Sequence, residues 1–192
     1  VDSTWRACRL KVIQVAGFLG SGKTTAIVAL AKKLSGDYGK KVAVIVNEIG
    51  DVPVDAKVAE QLGLKVAELG GGCLCCELLI SLAETLVALA REFAPDLVLI
   101  EPTGVALPEQ VREGVRLGGG RVPIEAGPVV VMFDALDRED QLSENSIGRF
   151  VRRQLGGADI VAINKVDAVE ERRVRDCEAG VREAAPGARV MR

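Results

Sequence analysis

The stretch Gly17-Phe-Leu-Gly-Ser-Gly-Lys-Thr24 limits the possible folds of this chain more than any other segment. It stands between a Val- and Ile-containing apolar run, Leu10–Ala16, and a helical pattern, Lys23–Ser35, with Ile27, Leu30, Ala31 and Leu34 on one face. A strand, a glycine-rich turn and a helix in immediate succession form the opening of a strand–helix–strand unit. The glycines allow successive backbone N–H groups to converge on phosphate oxygens, and the positive end of the helix dipole adds to the attraction. The segment fits the pattern G-x-x-x-x-G-K-[ST] in the context that gives that pattern its meaning. Gly17, Gly20, Ser21, Gly22, Lys23, Thr24 and Thr25 are therefore the candidate phosphate-binding residues. Lys23 would reach the β- and γ-phosphates, and the Thr24 hydroxyl would take one position on Mg²⁺.

Further apolar runs follow at Lys41–Asn47, Lys65–Leu69, Asp96–Glu101, Pro128–Asp134, Asp159–Asn164 and, close to Arg192, Ala188–Met191. Their near-continuous apolarity, without alternation, predicts strands covered on both faces, as in a parallel sheet. Helices are expected at Leu78–Phe93, Gln141–Leu155 and Glu170–Ala184, and a left-handed cap at Gly36 after the first helix. Leu117–Pro128, with its glycines and prolines, reads as a rim loop. The expected fold is an α/β, three-layer P-loop NTPase of the SIMIBI type, with a mainly parallel central sheet and ligands at the carboxyl ends of its strands. With 192 residues and no convincing linker, positions 1–192 are read as a single domain.

Two later segments refine the nucleotide reading. Asn164-Lys165-Val166-Asp167 follows a strand, and an Asp carboxylate there can accept both the N1–H and the amine of guanine, a donor pair that adenine lacks. Leu97–Glu101 followed by Pro-Thr-Gly104 has the form of an apolar strand ending in an acid that can hold Mg²⁺ directly or through water. Gly104, without a side chain, can bring its N–H to a γ-phosphate and respond to its loss.

Between these segments lies Gly70-Gly-Gly-Cys73-Leu-Cys75-Cys76, three thiols within four residues. Thiolates suit Zn²⁺, Cu(I) and, less selectively, Co²⁺. Cys73, Cys75 and Cys76 make an incomplete tetrahedral set, whose fourth ligand could be water, a substrate ligand or a carboxylate such as Glu48. Buried packing at a helix start and a redox pair are the other readings of these cysteines. Cys8 and Cys177 are isolated and read as ordinary small residues. With no histidine in the sequence, any metal site must use sulfur, carboxylate, backbone, water or a second chain, which leaves a homodimer open.

Hydrophobic residues at 48% and charged residues at 27% fit a soluble globular protein, and a net charge of −2 without a basic stripe gives nucleic-acid binding little support. The longest apolar stretch, Leu78–Ala90, carries Ser81, Glu84 and Thr85 and is too short and too polar to span a bilayer. The start lacks the apolar core of a signal peptide, so a cytoplasmic location is the expectation.

Taken together, GFLGSGKTT at 17–25, NEIGDVPVD at 47–55, GGCLCC at 71–76, EPTG at 101–104 and NKVD at 164–167 resemble the CobW-type GTPases. That group also includes the urease and hydrogenase nickel-insertion GTPases. The resemblance implies a metal-handling GTPase that uses GTP/GDP, Mg²⁺ and Zn²⁺ or Co²⁺ to supply metal to a client metalloprotein or cofactor pathway. It assigns Asn47, Glu48 and Asp55 to a first switch segment and Glu101 and Gly104 to a second. Asn164, Lys165 and Asp167 match the guanine site, and Gln154 also fits the family's pattern, although it could equally be a surface helix residue. Lys23, Glu48, Asp55 and Glu101 are the candidate catalytic residues; with no arginine finger or glutamine evident by motif, slow hydrolysis is expected. The family's usual carboxy-terminal domain and histidine-rich stretch are not matched. A G-protein chaperone of a corrinoid or other metalloenzyme, and a metal-binding module with little GTPase activity, are the alternatives. A P-loop small-molecule kinase has no use for the N-K-x-D segment.

Overall fold

The structure is a computed structural model describing residues 9–46, 64–68 and 75–192, with the side chains of 75–78 outside the description. Among the described residues there are seven strands: β1 Leu10–Gly17, β2 Val42–Val46, β3 Leu64–Glu68, β4 Leu97–Ile100, β5 Ile124–Asp134, β6 Ile160–Asn164 and β7 Arg189–Met191. The α-helices among the described residues are α1 Lys23–Gly36, α2 Cys75–Ala88, α3 Pro108–Gly119, α4 Arg138–Gln141, α5 Ser146–Gly156 and α6 Glu171–Ala184. The strands follow in the order β3-β2-β4-β1-β5-β6-β7. The registers for β1·β4, β2·β3, β2·β4, β5·β6 and β6·β7 are all parallel, as the apolar runs predicted.

The chain divides into two compact units. The first comprises Val1–Gln14, Thr24–Pro102 and Glu109–Gly127. Its core sets Leu10 and Val12 of β1, Ala43 and Ile45 of β2, and Val98 and Ile100 of β4 against Leu82 and Leu86 of α2 and Val111 and Val115 of α3. The β-branched Val12, Ile45, Val98 and Ile100 among them are stiff, pack well on a pleated surface and lose little freedom there. The second unit comprises Val15–Lys23, Thr103–Pro108 and Pro128–Arg192. In its core Val129, Val131 and Phe133 of β5 and Val161 and Ile163 of β6 meet Val151 and Leu155 of α5 and Cys177 and Val181 of α6.

Four sequence expectations are corrected. Leu117–Pro128 is not a rim loop: α3 runs to Gly119 and β5 begins at Ile124. Two of the glycines there serve close packing, since a Cβ on Gly127 would stand 2.9 Å from Val12 O and one on Gly118 3.2 Å from Ile124 Cδ1. The helix expected over Gln141–Leu155 is two helices, because the Asn145 side chain caps a new one by accepting the Gly148 N–H at 2.9 Å. Helix α1 continues through Gly36, and the left-handed residue is Gly39, at φ 59°. The helix expected to start at Leu78 starts at Cys75, and its final turn, Leu89–Phe93, widens before Ala94 closes it in the left-handed conformation at φ 47°.

Candidate functional site

In the first unit β1 and β4 are direct neighbours, with Gln14 opposite Ile100. Their adjacency brings the acid that follows β4 to the head of α1. Thr24 Oγ1 donates to Glu101 Oε1 at 2.7 Å, although the two residues are 77 positions apart in sequence. The Glu101 backbone N–H donates to Ile45 O at 2.8 Å, which fixes the strand end that carries the carboxylate. A hydroxyl and a carboxylate are the hard oxygen donors that Mg²⁺ takes, so this pair fits that ion and would hold it. Thr25 lies beside Thr24 on α1 and is exposed.

In the second unit the turn after β1 is held by three left-handed glycines, Gly17 at φ 138°, Gly20 at 75° and Gly22 at 93°. Gly22 has no room for a side chain, because a Cβ would stand 2.3 Å from Asn164 Nδ2. That amide donates to the Ser21 carbonyl at 2.9 Å, tying the N-K-V-D segment to the phosphate-type loop. Lys23 is buried, and its Nζ donates to Phe18 O at 3.2 Å, folding the ammonium back over its own loop. Ser21 is fully buried, and its hydroxyl has no hydrogen-bond partner among the described residues.

At the end of β6, Lys165 takes the left-handed conformation at φ 58°, a conformation uncommon outside glycine and held by its surroundings. Its ammonium pairs with Asp134 Oδ2 at 2.5 Å. Asp134, at the end of β5, is fully buried and also accepts the Leu136 N–H at 2.9 Å. Asp167 sits exposed on the single turn Val166–Ala168, two residues beyond Lys165. Among the described residues the most deeply buried carboxylate is thus Asp134, a residue the motifs did not single out. An acid closing the apolar run Val129–Phe133 was the available signal.

The turn after Pro102 also belongs to the second unit. Gly104 is buried, and a Cβ there would stand 2.8 Å from Leu19 Cδ2 and 3.0 Å from Leu19 N. Gln154, ambiguous in the sequence, is fully buried, and its Nε2 donates to Gly104 O at 3.1 Å and to Ala106 O at 2.8 Å. Asn47, Glu48, Asp55 and Cys73 lie outside the described residues. Cys75 and Cys76 form the first two residues of α2, with side chains likewise outside the description. Cys177 is buried in α6, and burial pushes its thiol pKa up, consistent with a packing role.

A parallel sheet with the phosphate-type loop between β1 and α1 and an acid-ended neighbouring strand defines a P-loop nucleotide-binding fold. The chain belongs to the family described as CobW/HypB/UreG, nucleotide-binding domain, which matches residues 11–192. It is 37% identical over 157 residues to the zinc chaperone YeiR of Escherichia coli (strain K12), covering 80% of this chain and 45% of that protein. It is 31% identical over 182 residues to the zinc chaperone CobW of a Sinorhizobium species, covering 81% of this chain and 51% of that protein. The chain therefore spans about half the length of these relatives. Among solved structures, Zn(II)-bound YjiA GTPase from E. coli shares the fold, with a TM-score of 0.70 at 23% identity, covering 96% of this chain and 57% of that one. No helix among the described residues is long and apolar enough to cross a membrane.

Proposed function

We propose that this chain is the GTP-binding and GTP-hydrolysing part of a metallochaperone that takes up zinc and passes it to a client metalloprotein or cofactor pathway. The observation that carries the nucleotide half is the Asn164 amide on the Ser21 carbonyl, 2.9 Å. It links the guanine-type segment to the phosphate-type loop through one side chain, so base and phosphate recognition share a scaffold. Lys23, Gly17, Gly20 and Gly22 would cradle the phosphates, Thr24 and Glu101 would hold Mg²⁺, and Asp167 would read guanine. When bound, that ion neutralises charge on the phosphate oxygens. Glu48 and Asp55 are proposed to order the hydrolytic centre together with Glu101 and Lys23.

The metal half rests on the three cysteines and on relatives named zinc chaperones. Cys73, Cys75 and Cys76 would bind the cargo Zn²⁺, with Glu48, a water or a group from a second copy completing the set; Co²⁺ is an alternative cargo. An incomplete set favours release over storage. In this reading GTP tightens the metal site and hydrolysis loosens it, and by linkage the metal tightens GTP binding by the same factor. The test is a Zn²⁺ titration of the chain bound to a non-hydrolysable GTP analogue and to GDP, with a Cys73/Cys75/Cys76→Ser control. Tighter Zn²⁺ binding in the analogue state, abolished in the control, supports the proposal. Equal affinities in the two nucleotide states would end the gating idea, and multiple-turnover GTPase measurements with and without Zn²⁺ test hydrolysis separately.

A further inference from the structure

We propose that Gln154 is a positioning residue that holds the 103–106 turn against the phosphate-type loop and thereby sets discrimination between GTP and GDP. This rests on the nucleotide reading above, in which the Gly104 N–H responds to the γ-phosphate.

Gln154 is fully buried in α5. A single primary amide has two N–H bonds, and here each is used on a different carbonyl of the same turn, Gly104 O at 3.1 Å and Ala106 O at 2.8 Å. Two carbonyls facing one terminal atom require that atom to be nitrogen, which fixes the amide's orientation. The Ala106 N–H donates back to Thr103 O at 3.0 Å, so the turn is closed internally and clamped from α5 at two points. Val105, between the clamped residues, is 63% exposed, whereas Gly104 and Ala106 are buried. The clamp therefore governs the backbone of the turn and leaves its tip in solvent.

On its other side the turn meets the phosphate-type loop. Gly104 packs so closely on Leu19 that a Cβ would lie 3.0 Å from the Leu19 backbone nitrogen. The Gln154 Oε1 is buried with no hydrogen-bond partner among the described residues. From Gln154 the same helix carries Val151 and Leu155 into the core shared with Val161 and Ile163 of β6, the strand that ends at Asn164. The residue that aligns the turn and the residue that ties Asn164 to Ser21 O thus stand on neighbouring elements of one packed unit.

The experiment measures affinities of a fluorescent GDP and a fluorescent non-hydrolysable GTP analogue for the wild-type chain, Gln154→Met, Gln154→Asn and Gly104→Ala. Methionine fills the volume without donors, and asparagine keeps an amide one methylene too short to span both carbonyls. Either variant should weaken analogue binding about tenfold, the worth of roughly one buried hydrogen bond, while GDP affinity stays within about twofold. Gly104→Ala should abolish the preference. Equal loss for both nucleotides, or an unchanged ratio in folded Gln154 variants while Gly104→Ala removes it, overturns the role of Gln154. A wild-type chain that does not distinguish the two nucleotides, with Gly104→Ala also without effect, overturns the γ-phosphate reading and this proposal with it.

Discussion

Substituting Gly22 by alanine tests how the phosphate-type loop and the N-K-V-D segment are joined. Gly22 has φ 93°, where an L side chain is strained, and its added Cβ would overlap Asn164 Nδ2 at 2.3 Å. The backbone strain alone is worth about 2 kcal/mol. Relieving the overlap requires Asn164 to swing away, which breaks its 2.9 Å bond to Ser21 O and leaves a carbonyl of a fully buried residue unsatisfied. That loss adds about 1.5 kcal/mol, so Gly22→Ala should destabilise the chain by about 3.5 kcal/mol. Asn164→Ala alone loses the same bond without the strain and should cost about 1.5 kcal/mol. In the double variant there is no amide to displace, so the bond is lost once and the total stays near 3.5 kcal/mol, about 1.5 less than the sum of the singles. Urea unfolding of the four proteins without nucleotide measures this directly, with constant m-values confirming comparable folded and unfolded states. Additivity to within about 0.5 kcal/mol would refute the steric coupling.

Asp134→Ala should cost about 2 kcal/mol in urea unfolding, because it strips the Leu136 N–H of its acceptor and removes the Lys165 ion pair from a fully buried carboxylate. Asp134→Asn, keeping an acceptor, should cost roughly half as much, since Lys165 is partly exposed and its charge is screened. Gly148→Ala should be among the most damaging glycine changes, at about 3 kcal/mol or more, because its Cβ would lie 1.9 Å from Ser143 O. Gly156→Ala, with open space around it, should instead stabilise by about 0.5 kcal/mol in the same assay. Cys177, buried and with its thiol pKa raised by burial, should alkylate with iodoacetamide at pH 7.5 only in urea. Rapid modification of Cys177 in the native chain, read by peptide mass spectrometry, would contradict its packing.

The strand pattern was legible because strands buried on both faces must be continuously apolar. Val42–Val46 and Leu97–Ile100 stand in the structure close to where their apolar runs placed them. Helix α3 was not legible. Its Gly114 and Gly118 look like loop residues in one dimension, and only the packing shows why small residues belong on that helix: a Cβ would stand 2.8 Å from Leu82 Cδ2 at the first and 3.2 Å from Ile124 Cδ1 at the second. The break before α5 turns on one capping side chain, Asn145, which a scan for apolar periodicity passes over.

The sequence by itself determined the family, the parallel α/β architecture and the residue types at the phosphate-type and guanine-type segments. Local chemistry suffices there: a tight anion-binding loop needs glycines at fixed spacing, and a strand buried on both faces needs apolar residues throughout. Tertiary structure alone decided which polar residues support those segments. Gln154 reads as a surface glutamine until α5 buries it against Gly104 and Ala106, and Asp134 reads as a strand end until Lys165 reaches it from β6. Those partners lie 48, 50 and 31 residues away, so they are set by strand order and helix packing and leave no periodic trace in the chain.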